Sequence, residues 1–331
     1  MNARFPDAGT VRTILALASR APSVHNTQPW RWRVGAESLH LYSDVSRHLP
    51  KTDPDGRDLI LSCGAALNHC VVALAAVGWR AKVTRLPNPA DPDHLAAIEV
   101  SPHSADALDI ALAAAIPRRR TDRRTYSSWS VPVRDIALMA ARAARNGVTL
   151  CQVDDIDKLH RIVAQSVWDH MTHDYLVELT AWSGRYASVA GVPARNAPVP
   201  DRNAKIPSRH FASPALAMTP GSSPTEDSAV ILALGTRTDD RLAQLRAGEA
   251  TSVVLLTATS LGLSSCPVTE PLETAETREL VRSDIFGDSR YPQMLLRVGW
   301  APVNADPLPS TPRRELDEFV ELLADREEGI V

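Results

Sequence analysis

Two stretches decide the fold: Ser62-Cys63-Gly64-Ala65-Ala66-Leu67-Asn68-His69-Cys70-Val71-Val72-Ala73-Leu74-Ala75-Ala76-Val77-Gly78-Trp79, and far downstream Arg246-Ala247-Gly248-Glu249-Ala250-Thr251-Ser252-Val253-Val254-Leu255-Leu256-Thr257-Ala258-Thr259-Ser260-Leu261-Gly262-Leu263. They align without a gap, and in each two glycines stand fourteen residues apart. Each reads as the bulk of a long apolar helix, Arg57–Val77 and Leu242–Leu261, with the second glycine suited to a left-handed C-terminal cap. Each is preceded by an apolar strand and an Asp-bearing turn, Leu39–Asp44 in one copy and Ala229–Gly235 with Asp239-Asp240 in the other. Each is followed by a strand, His94–Val100 or Gln293–Val298, and each copy closes on a basic pair after proline, Pro117-Arg118-Arg119 or Pro312-Arg313-Arg314. Any two apolar helices with terminal glycines will align, but the shared order of four features favours a duplicated α+β unit.

The rest of the chain fits around these helices. Helices are expected at Thr10–Arg20, Asp106–Ile116, Val133–Asn146 and Ile156–Trp182, and strands at Trp30–Val34, Leu39–Tyr42, Lys82–Leu86, Val230–Leu234 and Met294–Trp300. Residues 188–227 gather prolines, Ser, Asn and Gly in a segment too long for a passive connection, so it is either a functional lid or disordered. The 331 residues, 44% hydrophobic and 23% charged, suit two domains or one large fold. A net charge of −3 gives no global attraction to nucleic acid or acidic membranes, so any basic function is local. Val71–Val77 and Val253–Leu263 are too short or too polar to span a bilayer, and the N-terminus has no signal-peptide core; a cytoplasmic protein is expected. Cys63, Cys70, Cys151 and Cys266 form no C-x-x-C pair and read as buried free thiols. His69 and His160 read as core or surface residues. No nucleophile elbow, Walker A loop, H-E-x-x-H or dinucleotide-binding fingerprint is present.

Two segments carry chemistry. Ala21-Pro22-Ser23-Val24-His25-Asn26-Thr27-Gln28-Pro29-Trp30 packs Ser, His, Asn, Thr and Gln between two prolines. That mixture of donors and acceptors suits a heteroaromatic ring, or else a polar turn that satisfies its own backbone. Arg118-Arg119-Arg120-Thr121-Asp122-Arg123-Arg124 sets five arginines against one acid. Arginine forks suit phosphate oxygens, and a cluster this size matches one phosphate monoester better than an extended nucleic acid. A charged turn or an internally ion-paired element is the plainer alternative. Arg313-Arg314, behind Pro307-Leu308-Pro309-Ser310-Thr311-Pro312, suggests a shared anion site across a pseudo-two-fold axis.

Together these segments resemble the nitroreductase-like flavoproteins, and their arrangement resembles the actinobacterial Acg-type subfamily of NAD(P)H nitroreductases. Ala21-Pro22-Ser23-x-x-Asn26-x-Gln28-Pro29-Trp30 is similar to the family's A-P-S-x-x-N-x-Q-P-W, which contacts FMN from the neighbouring subunit. Arg119-Arg120-Thr121-Asp122-Arg123 is similar to its phosphate-gripping R-R-S-x-R, with Thr121 for the serine. Gly262-Leu263-Ser264-Ser265-Cys266 is similar to G-L-G-S-C, with Ser264 in place of glycine, and Pro267-Val268-Thr269-Glu270 to the loop at the flavin edge. The resemblance implies an internally duplicated α+β nitroreductase-like fold, residues 1–108 and 109–331 being the two halves. One chain then mimics the family homodimer, as a monomer with a pseudo-two-fold axis.

It further implies FMN, bound through Arg119, Thr121, Arg123, Arg313 and Arg314 at the phosphate, Ser23, Asn26 and Gln28 at the ribityl chain or ring, and Thr269 near N5 and O4. With the two motifs in different halves, one complete site results. NAD(P)H would supply hydride and a small electron-poor acceptor, of nitro or quinone type, would take it. No nucleic acid, membrane or metal is implied, and no general acid or base is required of the protein. An alternative is an FMN-sequestering protein, its site covered by residues 188–227; a third is a phosphate or nucleic-acid binder.

Overall fold

Why α2 (Arg57–Ala76) and α7 (Arg241–Ser260) can both lack a polar face is settled by where they cross. The computed structural model describes residues 4–184, 189–201, 204–218, 227–302 and 304–323. In it the two helices meet at Gly64 and Gly248. A Cβ on Gly64 would stand 2.1 Å from the Leu245 carbonyl oxygen, and one on Gly248 would stand 2.1 Å from the Leu61 carbonyl oxygen. The contact is reciprocal, and the offset that carries Gly64 onto Gly248 also carries Leu61 onto Leu245. Glycine is required at both positions because the backbones touch. The second glycines, Gly78 and Gly262, have φ of +89° and +84°, the left-handed caps that the spacing predicts.

Each helix is flanked by one sheet. The first contains β1 (Trp30–Val34), β2 (Ser38–Ser43), β3 (Trp79–Arg85) and β4 (His94–Pro102) in the order β3-β4-β2-β1, all antiparallel. The second contains β5 (Thr149–Gln152), β6 (Val230–Thr236), β7 (Ser264–Pro267) and β8 (Tyr291–Gly299) in the order β7-β8-β6-β5, also antiparallel. Strand for strand the orders correspond, and β2 and β6 each carry a register shift near their C-terminal ends. α1 (Ala8–Ala18) packs on α2 as α4 (Val133–Ala144) packs on α7, and α3 (Ala107–Ala115) touches both long helices. A last strand, β9 (Val320–Leu322), runs parallel to β1, so the C-terminal segment completes the first sheet.

The two cores interlock at the crossing. Leu245 of α7 sits in the core built by α1, α2 and the first sheet, while Leu61 of α2 sits in the core of α4, α7 and the second sheet. α2 is long and apolar enough to cross a bilayer, but most of it is buried here inside protein.

The expected helix Ile156–Trp182 is a correction. It is two helices, α5 (Ile156–Asp169) and α6 (His173–Ala181), because the Thr172 side chain accepts from the Tyr175 N–H and starts a new helix. β5, β7, β9 and α8 (Ala275–Phe286) lack a periodic signature strong enough to predict. β1 and β2 are joined by a short turn, whereas between β5 and β6 the chain inserts α5, α6 and the proline-rich segment. All four cysteines are free, as expected; Cys63 and Cys70 are buried, whereas Cys151 and Cys266 are only partly covered.

Gly64→Ala or Gly248→Ala should therefore force the helices apart and cost at least about 3 kcal/mol, or prevent folding. Gly147→Ala, where nothing lies within 4 Å of a new Cβ and the cost is the left-handed φ of +74°, should lose only about 1–2 kcal/mol. Urea unfolding of the three variants measures the difference.

Candidate functional site

The segment between α1 and β1 is held in an uncommon shape. His25, Asn26 and Gln28 have φ of +44°, +55° and +55°, which for side-chain-bearing residues costs on the order of 1–3 kcal/mol each. Surrounding hydrogen bonds hold it. The Val24 N–H donates to Ser62 Oγ at 3.1 Å and the Gln28 N–H to Ser23 Oγ at 3.0 Å. Asn26 Nδ2 donates to the carbonyls of Gly191 and Pro312 at 3.0 and 3.2 Å. Gln28 Nε2 donates to the Val189 carbonyl at 3.0 Å, and its Oε1 accepts from the Arg314 N–H at 2.9 Å. Three distant pieces of chain are thereby drawn to one place.

The arginine run is stitched to the edge of the second sheet, where Thr121 bridges Ser265 and the Asp122 N–H donates to the Ser265 carbonyl at 2.9 Å. Asp122 then takes Arg124 in a bidentate pair at 3.0 and 2.9 Å, which removes both from further charge recognition. The remaining arginines have no such partner: among the described residues no carboxylate pairs with Arg119, Arg120, Arg123 or Arg313. Arg119 is buried, and its Nε and Nη1 find no hydrogen-bond partner. Burial first, and then repulsion from Arg120, Arg20 and Arg123, lowers its pKa to about 10. Burial and then Arg119, Arg20 and Arg120 lower that of Arg313 to about 9. Cations crowded without a counter-charge make a place that an anion would stabilise.

The opposite end is organised by Arg209, from the proline-rich segment. Its side chain is buried, with Nη1 2.7 Å from both His25 Nε2 and the Tyr175 hydroxyl, while Nη2 donates to Thr269 Oγ1 at 3.1 Å and to the Glu273 carboxylate. Thr269 Oγ1 donates in turn to Glu273 at 2.8 Å. His170 stacks on Tyr175 at 4.4 Å and lies 3.7 Å from Glu273. Burial, then Arg209, lowers the His170 pKa to about 4. Asp58 at the start of α2 and Glu270 face the same space.

Between these ends lies a cleft of about 1340 Å³ counted out to its open mouth. It is walled by the 22–26 loop, α2, the arginine run, residues 206–211, and the strand and loop 266–270. The structure brings Ser23, Asn26, Arg119, Thr121, Arg123, Thr269 and Arg313 together on this cleft. It does not bring Gln28 and Arg314 there. Gln28 is fully buried as a strut, and Arg314 lies over Phe319, donates to the Gln28 carbonyl at 3.2 Å and pairs with Asp44 at 3.5 Å. Asn26 faces the cleft with its amide already engaged, its Oδ1 accepting from Arg313 at 3.0 Å. Cys266 also lines the cleft, where burial first raises its pKa. Arg209, Phe211, Glu273 and Arg20 were not singled out in the sequence, and Glu270 entered only as the last residue of the loop Pro267–Glu270. The one signal for Arg209 is that a basic residue follows Ile206-Pro207-Ser208 in a segment otherwise poor in regular structure. Part of the expected lid, residues 188, 202–203 and 219–226, lies outside the described residues. Among the described residues no group of His, Cys, Asp and Glu could hold a metal.

A pair of matched antiparallel sheets around crossed glycine-contact helices, with a cleft that gathers unpaired arginines and, around Arg209, carboxylates, defines an α+β protein. The particular family comes from the comparisons. No family model matches the chain. A Mycobacterium tuberculosis protein named "Putative NAD(P)H nitroreductase Rv3131" is 66% identical over 322 residues, covering 97% of this chain and 94% of that one. The same organism's "Putative NAD(P)H nitroreductase acg" is 36% identical over 322 residues, covering 95% and 96%. A solved nitroreductase of Bacteroides fragilis covers 61% of this chain and 94% of its own at 14% identity, with a TM-score of 0.40. The chain belongs to the family of these mycobacterial nitroreductase homologues.

Two measurements test the electrostatics. Inorganic phosphate should raise the melting temperature of the protein, and Arg119→Ala together with Arg313→Ala should abolish most of that rise; an unchanged rise in the double variant would contradict the cationic end. For His170 the sign is definite. Its folded pKa, about 4, lies below the ordinary 6.5, so the unfolded chain binds the extra proton and stability is lost as pH falls from 6.5 towards 4. The gap in melting temperature between wild type and His170→Gln should therefore narrow or reverse across that window.

Proposed function

We propose that this chain is an FMN-dependent oxidoreductase that takes hydride from NAD(P)H and passes it to a small electron-poor acceptor of nitro or quinone type. The observation that carries this reading is the buried Arg119 with two unpartnered guanidinium nitrogens beside Arg313, on a cleft whose other walls are largely apolar. The residues present fit the group. Arg119, Arg123 and Arg313, with the Thr121 hydroxyl, suit a phosphate monoester, whose dianion offsets their repulsion. Leu61, Ala65, Val268, Met294 and Phe211 give apolar walls for a ring, and Ser23 and Asn26 stand between the two regions. When bound, FMN supplies two-electron chemistry at its ring; the protein supplies binding, orientation and local charge. Thr269, held by Arg209 and Glu273, presents its hydroxyl at the ring end. These arginines line a cleft and not an open face, which supports a small ligand over nucleic acid.

The chain is two copies of one unit, residues 1–108 and 109–331, acting as a monomer in this proposal. The matched strand orders and the reciprocal contact at Gly64 and Gly248 support this. The same offset relates Ala65 and Thr269, which line the cleft, to Glu249 and Arg85. Those two form a bidentate ion pair at 2.7 and 2.8 Å, with Glu249 buried. A salt bridge at the related position supports one site per chain.

A second reading has one observation in its favour. Ile206–Arg209 and Phe211 wall the cleft, and Arg209 ties that wall to His25, Tyr175, Thr269 and Glu273. A wall so fastened favours a protein that shields FMN and turns over slowly.

NADPH added anaerobically to the yellow protein separates the readings: rapid bleaching of the flavin band is the outcome expected of the reductase, and a colour removed by dithionite alone is that of sequestration. Arg119→Ala with Arg123→Ala should fold but purify without flavin, and full FMN occupancy in that variant would overturn the phosphate placement.

A further inference from the structure

At the ring end of the cleft Glu270 and Glu273 stand by Arg209, with Asp58 and its partner Arg57 across from them, and the Arg209 guanidinium is spoken for. The four Nη hydrogens of Arg209 point to His25, Tyr175, Thr269 and Glu273. What is left is Nε, which stands 3.9 Å from Glu270 Oε1, beyond hydrogen-bond reach. Glu270 is nonetheless enclosed, its side chain 7% exposed, in the tight turn Glu270–Leu272 that follows the Thr269 loop. Glu273 from the same stretch crowds it with like charge. Across the cleft, Asp58 is committed to Arg57 at 2.5 Å. The Tyr175 hydroxyl of α6 accepts from Arg209, and burial first, then the same guanidinium, holds His25 and His170 in their uncharged forms. No second cation among the described residues pairs with Glu270.

A carboxyl group with no hydrogen-bonded cation, buried beside another carboxylate, keeps its proton. We propose that Glu270 is the cleft's proton donor, protonated in the resting protein and giving that proton to an oxygen of the bound acceptor. Burial, and then the balance between Arg209 and Glu273, raises its pKa to about 7, so near neutral pH it can both give and regain a proton.

The inference rests on the hydride-transfer reading above, and its stoichiometry closes. A quinone that receives a hydride from the flavin and one proton becomes a hydroquinone. A nitro compound with the same two becomes a nitroso compound and water. In each case the Glu270 O–H bond breaks, an O–H bond forms on the acceptor, and the carboxylate left behind takes a proton from solvent. Thr269 beside it fixes the turn, while Glu273 keeps Arg209 from neutralising Glu270.

The test uses the flavin-loaded protein, photoreduced so that no nicotinamide is needed, and mixed anaerobically with benzoquinone. Wild type should reoxidise fastest below about pH 7 and slow about tenfold per unit above it. Glu270→Gln should be about a hundredfold slower at low pH and flat across the range, with Glu270→Asp restoring an inflection. A Glu270→Gln protein with the wild-type rate and profile would overturn the assignment. An infrared titration gives a readout independent of turnover: a protonated-carboxyl stretch that titrates near pH 7 and is missing from Glu270→Gln is expected, and its absence from wild type would also overturn it. If the protein retains no flavin, the reading of the site fails by itself, and the infrared titration still decides Glu270.

Discussion

The structure depends on one contact: the backbones of α2 and α7 touching where Gly64 meets Gly248. Only glycine permits that approach, and the approach sets everything around it. It places Leu245 in one core and Leu61 in the other, so neither half has a complete interior without its neighbour. It also brings the 22–28 loop at the end of α1 and the arginine run ahead of α4 to the same side of the helix pair. The cleft lies beside that crossing, with Leu61, Ser62, Ala65 and Thr251 in its lining, and the rest comes from residues near positions 23, 119, 209, 269 and 313.

Within the cleft, charge is separated by design of the sequence and not by net composition. Arg124, the one arginine of the run held in a close bidentate pair by Asp122, is locked away, while Arg119, Arg120 and Arg123 keep their charge unpaired with any described acid. At the other end Glu270, Glu273 and Asp58 gather around Arg209 and Arg57. A ligand with a dianionic tail and a polarisable ring would find an attractive site at one end and a structured hydrogen-bonding wall at the other. Unpaired cations crowded in this way repel one another, and a bound anion would offset that repulsion.

Much of this was legible in the sequence, for identifiable reasons. The fourteen-residue glycine spacing survived because both glycines do physical work, one at the crossing and one at the cap. The Ser23–Gln28 and Arg119–Arg123 segments stood out because their residue types are dense and local. What was not legible comes from long range. Whether Gln28 and Arg314 face the ligand or each other depends on residues 286 positions apart, and the structure shows them bonded to each other. Arg209 gave only a weak local signal, since its partners His25, Tyr175, and the Thr269 and Glu273 of one turn come from three separate parts of the chain. The break at Thr172 was hidden because an apolar stripe continues through it, while a single capping hydroxyl decides the matter.

The central claim is that two interlocked halves make a single flavin site per chain. Native mass spectrometry of the FMN-reconstituted protein tests it most directly. The account predicts a 35.9 kDa monomer carrying one FMN. Two FMN per chain, or FMN held only by a dimer, would contradict it.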